Sequence, residues 1–111
     1  MPSYKIVVTH QAQKQILDAE SYVREELGLP KAADEFLASI EDKFSVISMF
    51  PNAYPVNEQA SFLSGHEIRC ASLKSHRLLY RVKADKLEAH ILSLRFGNEN
   101  PDSLCANDLE D

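Results

Sequence analysis

Seven cations fall between Arg69 and Arg95, and five of them, Arg69, Lys74, Arg77, Arg81 and Arg95, have types and spacing that could do chemistry. Arg77 and Arg81 lie four residues apart around Leu79, an even separation that puts both on one side of an extended strand. A guanidinium can stabilise charge on a phosphate or grip an acidic protein surface. With a pKa above about 12 it is a poor proton shuttle. The chemistry on offer is therefore charge stabilisation or docking. His10, His66, His76 and His90 show no metal-ligand spacing, so no metal site is expected. Cys70 and Cys105 stand far apart and outside any C-x-x-C pair, which argues against a disulfide framework or a zinc knuckle and for a reducing cytoplasm. No cofactor is expected.

Stepping outward from these residues, the net charge of −5 conceals a division. Residues 1–64 balance at −4, residues 65–97 at +4, and residues 98–111 at −5 with no cation at all. Screening at physiological salt acts over about 8 Å, so an anionic partner meets the basic segment before it senses the total. A chain of 111 residues fits one domain. Nothing in it approaches the roughly 20 apolar residues that span a bilayer, and the first residues do not read as a signal peptide. A cytoplasmic domain over residues 1–97, followed by an acidic, mobile tail over 98–111, is the expected organisation. The tail could fold back on the basic segment, but a solvated tail is the simpler expectation.

The elements that must position the cations follow from periodicity. The β-branched run Tyr4–Thr9 predicts a first strand, with Thr9 placed to cap a helix. Ala12, Ile16, Ala19, Val23 and Leu27 form one stripe of an amphipathic helix that Gly28 stops. A second helix runs from Pro30 to Pro51 with Ala33, Phe36, Leu37, Ile40, Phe44, Ile47 and Phe50 on its apolar face. So short a link makes the two helices an antiparallel hairpin. Residues 51–65 hold two prolines and no sustained period, and predict a loop. Phe62 and Leu63 in it have no periodic explanation. Three strands are expected at 66–73, 76–83 and 87–94, joined by tight turns. The fold class is α+β, in the order β-α-α-β-β-β, with the helical hairpin on one face of an antiparallel sheet.

Strand alternation sets Arg77, Leu79 and Arg81 apart from Leu78, Tyr80 and Val82, and the second set reads as core. The same parity groups Ala89, Ile91, Ser93 and Arg95 on the last strand. If that group shares the outward face, Arg77, Arg81 and Arg95 converge with Arg69 and Lys74 on one surface. Arg69 and Arg95 also have acidic neighbours, Glu67, Glu88 and the tail acids, and such surface ion pairs contribute about 0–1 kcal/mol.

Taken in order, YKIVVTHQAQKQI, MFPNAYP and EIRCASLKSHRLLYRV resemble the RelE/ParE toxin superfamily of bacterial type II toxin–antitoxin systems, over about residues 4–97. The resemblance implies a small cytoplasmic toxin neutralised by a cognate antitoxin, with Phe62 and Leu63 available to an antitoxin groove. It implies two targets: RelE-like members cut mRNA on the ribosome, and ParE-like members inhibit DNA gyrase. Arg77 falls on the arginine that stabilises the scissile phosphate in the nucleases, and Arg69 near a lysine of the preceding strand. Gly97 and Ser103 stand where the nucleases carry a second arginine and a tyrosine.

Cutting RNA without a metal needs a group that titrates near working pH. His76 beside Arg77 has the opposite strand parity, as has His90 relative to Ser93 and Arg95. The expectation is thus a ParE-like gyrase inhibitor that is not an enzyme, docking through Arg69, Arg77, Arg81 and Arg95. The alternatives are a RelE-like mRNA endonuclease using Arg69, Lys74, Arg77 and Arg95, or a degenerate member that only binds its antitoxin.

Overall fold

The computed structural model describes residues 3–97 and 104–111. β1 (Lys5–Val8) leads through Thr9 into α1 (His10–Ser21), and the Thr9 hydroxyl accepts the Ala12 amide at 3.2 Å, the cap its position predicted. α1 does not run on as regular helix to Gly28. Its last stretch, Tyr22–Glu26, widens into a π-helical turn, and Gly28 follows at a φ of 65°. Arg24 in that turn bonds Glu20 at 2.5 Å and Asp34 at 2.6 Å, tying it to α2 (Pro30–Met49).

The stretch 51–65, expected as loop, contains α3 (Glu58–Ser64). Two prolines precede it, and seven residues are too few to display a period. Its ends are nevertheless marked: the Asn57 side chain accepts the Ala60 amide at 2.9 Å, and Gly65 closes it in the left-handed region at a φ of 76°. β2 (Arg69–Ser72), β3 (His76–Lys83) and β4 (Glu88–Phe96) complete the sheet.

The strand order is β1-β4-β3-β2. β2, β3 and β4 pair antiparallel as expected, but β1 joins β4 in parallel. The helical hairpin carries the chain from β1 to the far edge of the sheet, and two tight turns then bring β4 back beside β1 in the same sense. α1 and α2 cover one face over a core that includes Ala12, Ile40, Ile47, Leu78, Tyr80 and Ile91. The other face is covered too. Ala60 of α3 and Leu109 pack there on Ile68, Leu79 and Leu92. Of the acidic tail expected over 98–111, residues 98–103 lie outside the described residues; over 104–111, Ala106–Leu109 form a 3-10 turn and Leu109 is 5% exposed. A leucine at that spacing from the sheet has apolar area to bury, which net charge alone does not register. Among the described residues no helix is long and apolar enough to cross a membrane.

Candidate functional site

The outer face of the sheet, opposite the helical hairpin, is where β3 presents Arg77 and Arg81. Alternation holds along β3: Leu78 and Tyr80 are fully buried towards the hairpin, and Leu79 belongs to the outer cluster. Arg77 lies directly opposite Arg95, and Arg81 opposite His90. Among the described residues the Arg77 Nε is buried without a hydrogen-bond partner. Two guanidiniums facing each other across one rung repel unless an anion lies between or beside them.

The parity expected for β4 breaks in its middle. Leu79 pairs with Ser93 and Tyr80 with Ile91, so Leu92 is an extra residue, a β-bulge. Ala89 and Ile91 consequently point into the hairpin core, away from the arginines, while Leu92 turns into the outer cluster. Ser93 is buried, its hydroxyl donating to Gln15 at 3.2 Å. The bulge also reverses His90, which sequence parity had turned away and which stands on the outer face beside Arg81. Residues around Thr9 satisfy the disrupted backbone. The Leu92 carbonyl accepts from the Thr9 hydroxyl at 3.2 Å and from Gln11 Nε2 at 3.5 Å, and the Leu94 amide donates to Gln15 at 2.8 Å.

Arg69 does not join the cluster. It pairs with Tyr80 and so points to the hairpin side, where Nη1 donates to the Tyr54 carbonyl at 2.7 Å and Nη2 meets Glu67 at 3.1 Å. Lys74 is exposed in the β2–β3 turn, at the sheet's end and clear of the outer-face rungs. The structure thus brings Arg77, Arg81 and Arg95 to one face and leaves Arg69 and Lys74 elsewhere. His76 turns inward as its parity predicted, its ring 5.1 Å from that of Phe36 and 4.8 Å from that of Phe96.

Carboxylates from residues 104–111 meet the cations. Asp108 Oδ2 lies 3.4 Å from Arg95 Nη1, and Asp111 pairs with Lys83 and, at 3.2 Å, with His90 Nδ1. His90 Nε2 meets Glu88 Oε1 at 2.9 Å. Burial pushes the Asp111 carboxyl up, but the Lys83 hydrogen bond and the charges of Lys83, His90 and Arg81 outweigh it and hold the group below its ordinary value. The His90 hydrogen bond likewise holds Glu88 low. Burial raises the Cys70 thiol against the pull of Arg77. Sequence reasoning missed Lys83 and His90 as members of this face; the even spacing of Lys83 from Arg77 and Arg81 was the available signal.

Compared with known proteins, residues 6–101 match a family model described as the ParE toxin of the type II toxin–antitoxin system parDE. Among solved structures, the chain is similar to one in the crystal structure of the toxin–antitoxin complex RelBE2 from Mycobacterium tuberculosis. The match has a TM-score of 0.59 at 20% identity and covers 89% of this chain and 97% of that one. At that identity the likeness is one of fold. No curated protein sequence matches the chain.

Proposed function

The chain belongs to the ParE toxin family of type II toxin–antitoxin systems, and from that premise we propose that it arrests growth by docking on DNA gyrase through the outer face of its sheet rather than by cutting RNA. The observation that supports this reading is the company Arg77 keeps. Across the strand pair stands Arg95, the next outer rung holds Leu79, paired with Ser93 and packed with the bulged Leu92, and only beyond it comes His90, held between two carboxylates. Facing guanidiniums can grip an acidic surface, but they are poor proton shuttles for metal-free phosphodiester cleavage. A cognate antitoxin is the second partner of this reading, in keeping with the toxin–antitoxin complex in which the similar chain was solved.

A second reading, an mRNA endonuclease acting on the ribosome, draws support from the Arg77–Arg95 juxtaposition, since paired guanidiniums suit a phosphate that gains charge. Two assays separate them. The purified chain is expected to inhibit supercoiling by gyrase, and Arg77→Ala with Arg95→Ala to weaken inhibition at least about tenfold, the loss of some 1.4 kcal/mol of binding. Primer extension on messages from arrested cells is expected to find no new 5′ ends. Cuts inside translated codons, abolished by Arg77→Ala, would overturn the gyrase reading. Growth untouched by the chain without its antitoxin would leave only antitoxin binding.

A further inference from the structure

We infer that residues 104–111 form an intramolecular strap over the outer face, fastened by His90 between Glu88 and Asp111 and loosened when His90 loses its charge. As regulation of the docking face, this rests on the reading that the outer face meets the target.

The strap is held at three places. Leu109 inserts into the apolar cluster with Leu79 and Leu92. Gln11 Nε2 donates to the Asp108 carbonyl at 3.0 Å and also reaches the bulged Leu92 carbonyl, so one α1 side chain clips strap to sheet. The third place is ionic: Asp108 on Arg95, and Asp111 on Lys83 and His90. A cleft of about 450 Å³ lies alongside, lined by Leu63, His66, Arg81 and Lys83 together with Leu109 and Asp111 of the strap. Of the three arginines on the face, the strap's acids pair directly with Arg95 and act electrostatically on Arg81. A closed strap competes with any acidic partner for those charges.

His90 is the group that makes this contact sensitive to pH. Both ring nitrogens face carboxylates, Nε2 at 2.9 Å from Glu88 and Nδ1 at 3.2 Å from Asp111. Only the imidazolium can donate from both. The neutral ring keeps one N–H, and its other nitrogen then sets a lone pair against a carboxylate. The other charged and titratable groups near the ring are Arg81 and Lys83 on β3, Lys5 on β1 beside Glu88, Lys86 in the β3–β4 turn, and His66 and Glu110 on the adjoining cleft. Glu88 and Asp111, both held below their ordinary values, stay anionic across the range of about pH 5 to 8 in which an ordinary histidine changes charge. The strap is therefore tighter in mild acid and looser in mild alkali.

Methyl contacts in the full-length chain test this. Nuclear Overhauser peaks between Leu109 and the Leu79 and Leu92 methyls are expected at about pH 5.5 and at least about twofold weaker at about pH 8.5, while Leu78–Ile91 peaks on the hairpin side keep their intensity as the fold control. Asp111→Asn is expected to weaken the Leu109 peaks and to remove most of their pH dependence. Equal intensities at both pH values in the unaltered chain, no Leu109 peaks at either, or full peaks in Asp111→Asn would overturn the strap. The gyrase assay separates the two claims. A strap that opens with pH while gyrase stays unaffected leaves the strap standing and removes the target; inhibition with unchanging Leu109 peaks does the reverse.

Discussion

Tyr80 is fully buried, and its hydroxyl donates to the Pro51 carbonyl at 2.7 Å across the mouth of the helical hairpin. Its ring meets that of Tyr54 edge-on at 6.5 Å. Burial pushes the phenol up to about 12, because the phenolate would lose hydration there. The folded protein thus holds this proton at pH values where the unfolded chain, titrating near 10, has released it. The resulting stability is present in full below about pH 10 and drains away as the pH rises towards 12. Tyr80→Phe is expected to cost about 1 kcal/mol near neutrality, the net worth of one hydrogen bond, and to flatten the alkaline limb of a urea-denaturation profile. An unchanged limb in the variant would place the alkaline loss on another group. Strand alternation already made Tyr80 core; its partner, 29 residues away, was beyond any local pattern.

Among the elements, what could be read in advance depended on whether a local rule had room to act. α1 and α2 are long enough to repeat an apolar stripe several times, and their first turns carry Thr9 and Pro30, so both were legible. The placement of Arg69 follows from turn length: the Lys74–Ser75 turn that sets Ser72 opposite Arg77 also sets Arg69 opposite Tyr80, on the hairpin side. The bulge at Leu92 was not legible, since no glycine marks it, and a single inserted residue puts the side chains before it out of phase with those after it. That one residue exchanged Ala89 and Ile91 for His90 on the cationic face. α3 falls between these cases, visible only at its caps. Its short length makes those caps matter more than in α1. Asn57→Ala, which orphans the Ala60 amide, is expected to lower stability by about 1 kcal/mol and to loosen Ala60 from the outer cluster. A thermal melt, with a shift of a few degrees expected, checks the first point.

At the scale of the whole molecule, the sheet is a septum between two unequal cores. On the hairpin side Leu78 is enclosed by two long helices that pin one another, so a void there has little freedom to close. On the outer side Leu92, equally buried, is covered by the seven residues of α3 and by the 104–111 segment. Both covers are short, and the second is held in part by ion pairs worth about 0–1 kcal/mol each, so they are expected to settle inward. Deleting a leucine side chain costs the lost transfer energy plus a term that grows with the cavity left behind. Leu78→Ala is therefore expected near the upper end of the 2–5 kcal/mol range typical of such changes, about 4, and Leu92→Ala near the lower, about 2. Urea midpoints at unchanged m-values would measure the difference. Equal costs would mean the outer layer is as rigid as the helical one, a rigidity at odds with a strap that opens. The ordering matters for function because the arginines lie on the outer side: the hairpin core fixes Arg77 and Arg81 through β3, beneath a cover held by fewer apolar contacts and by surface ion pairs.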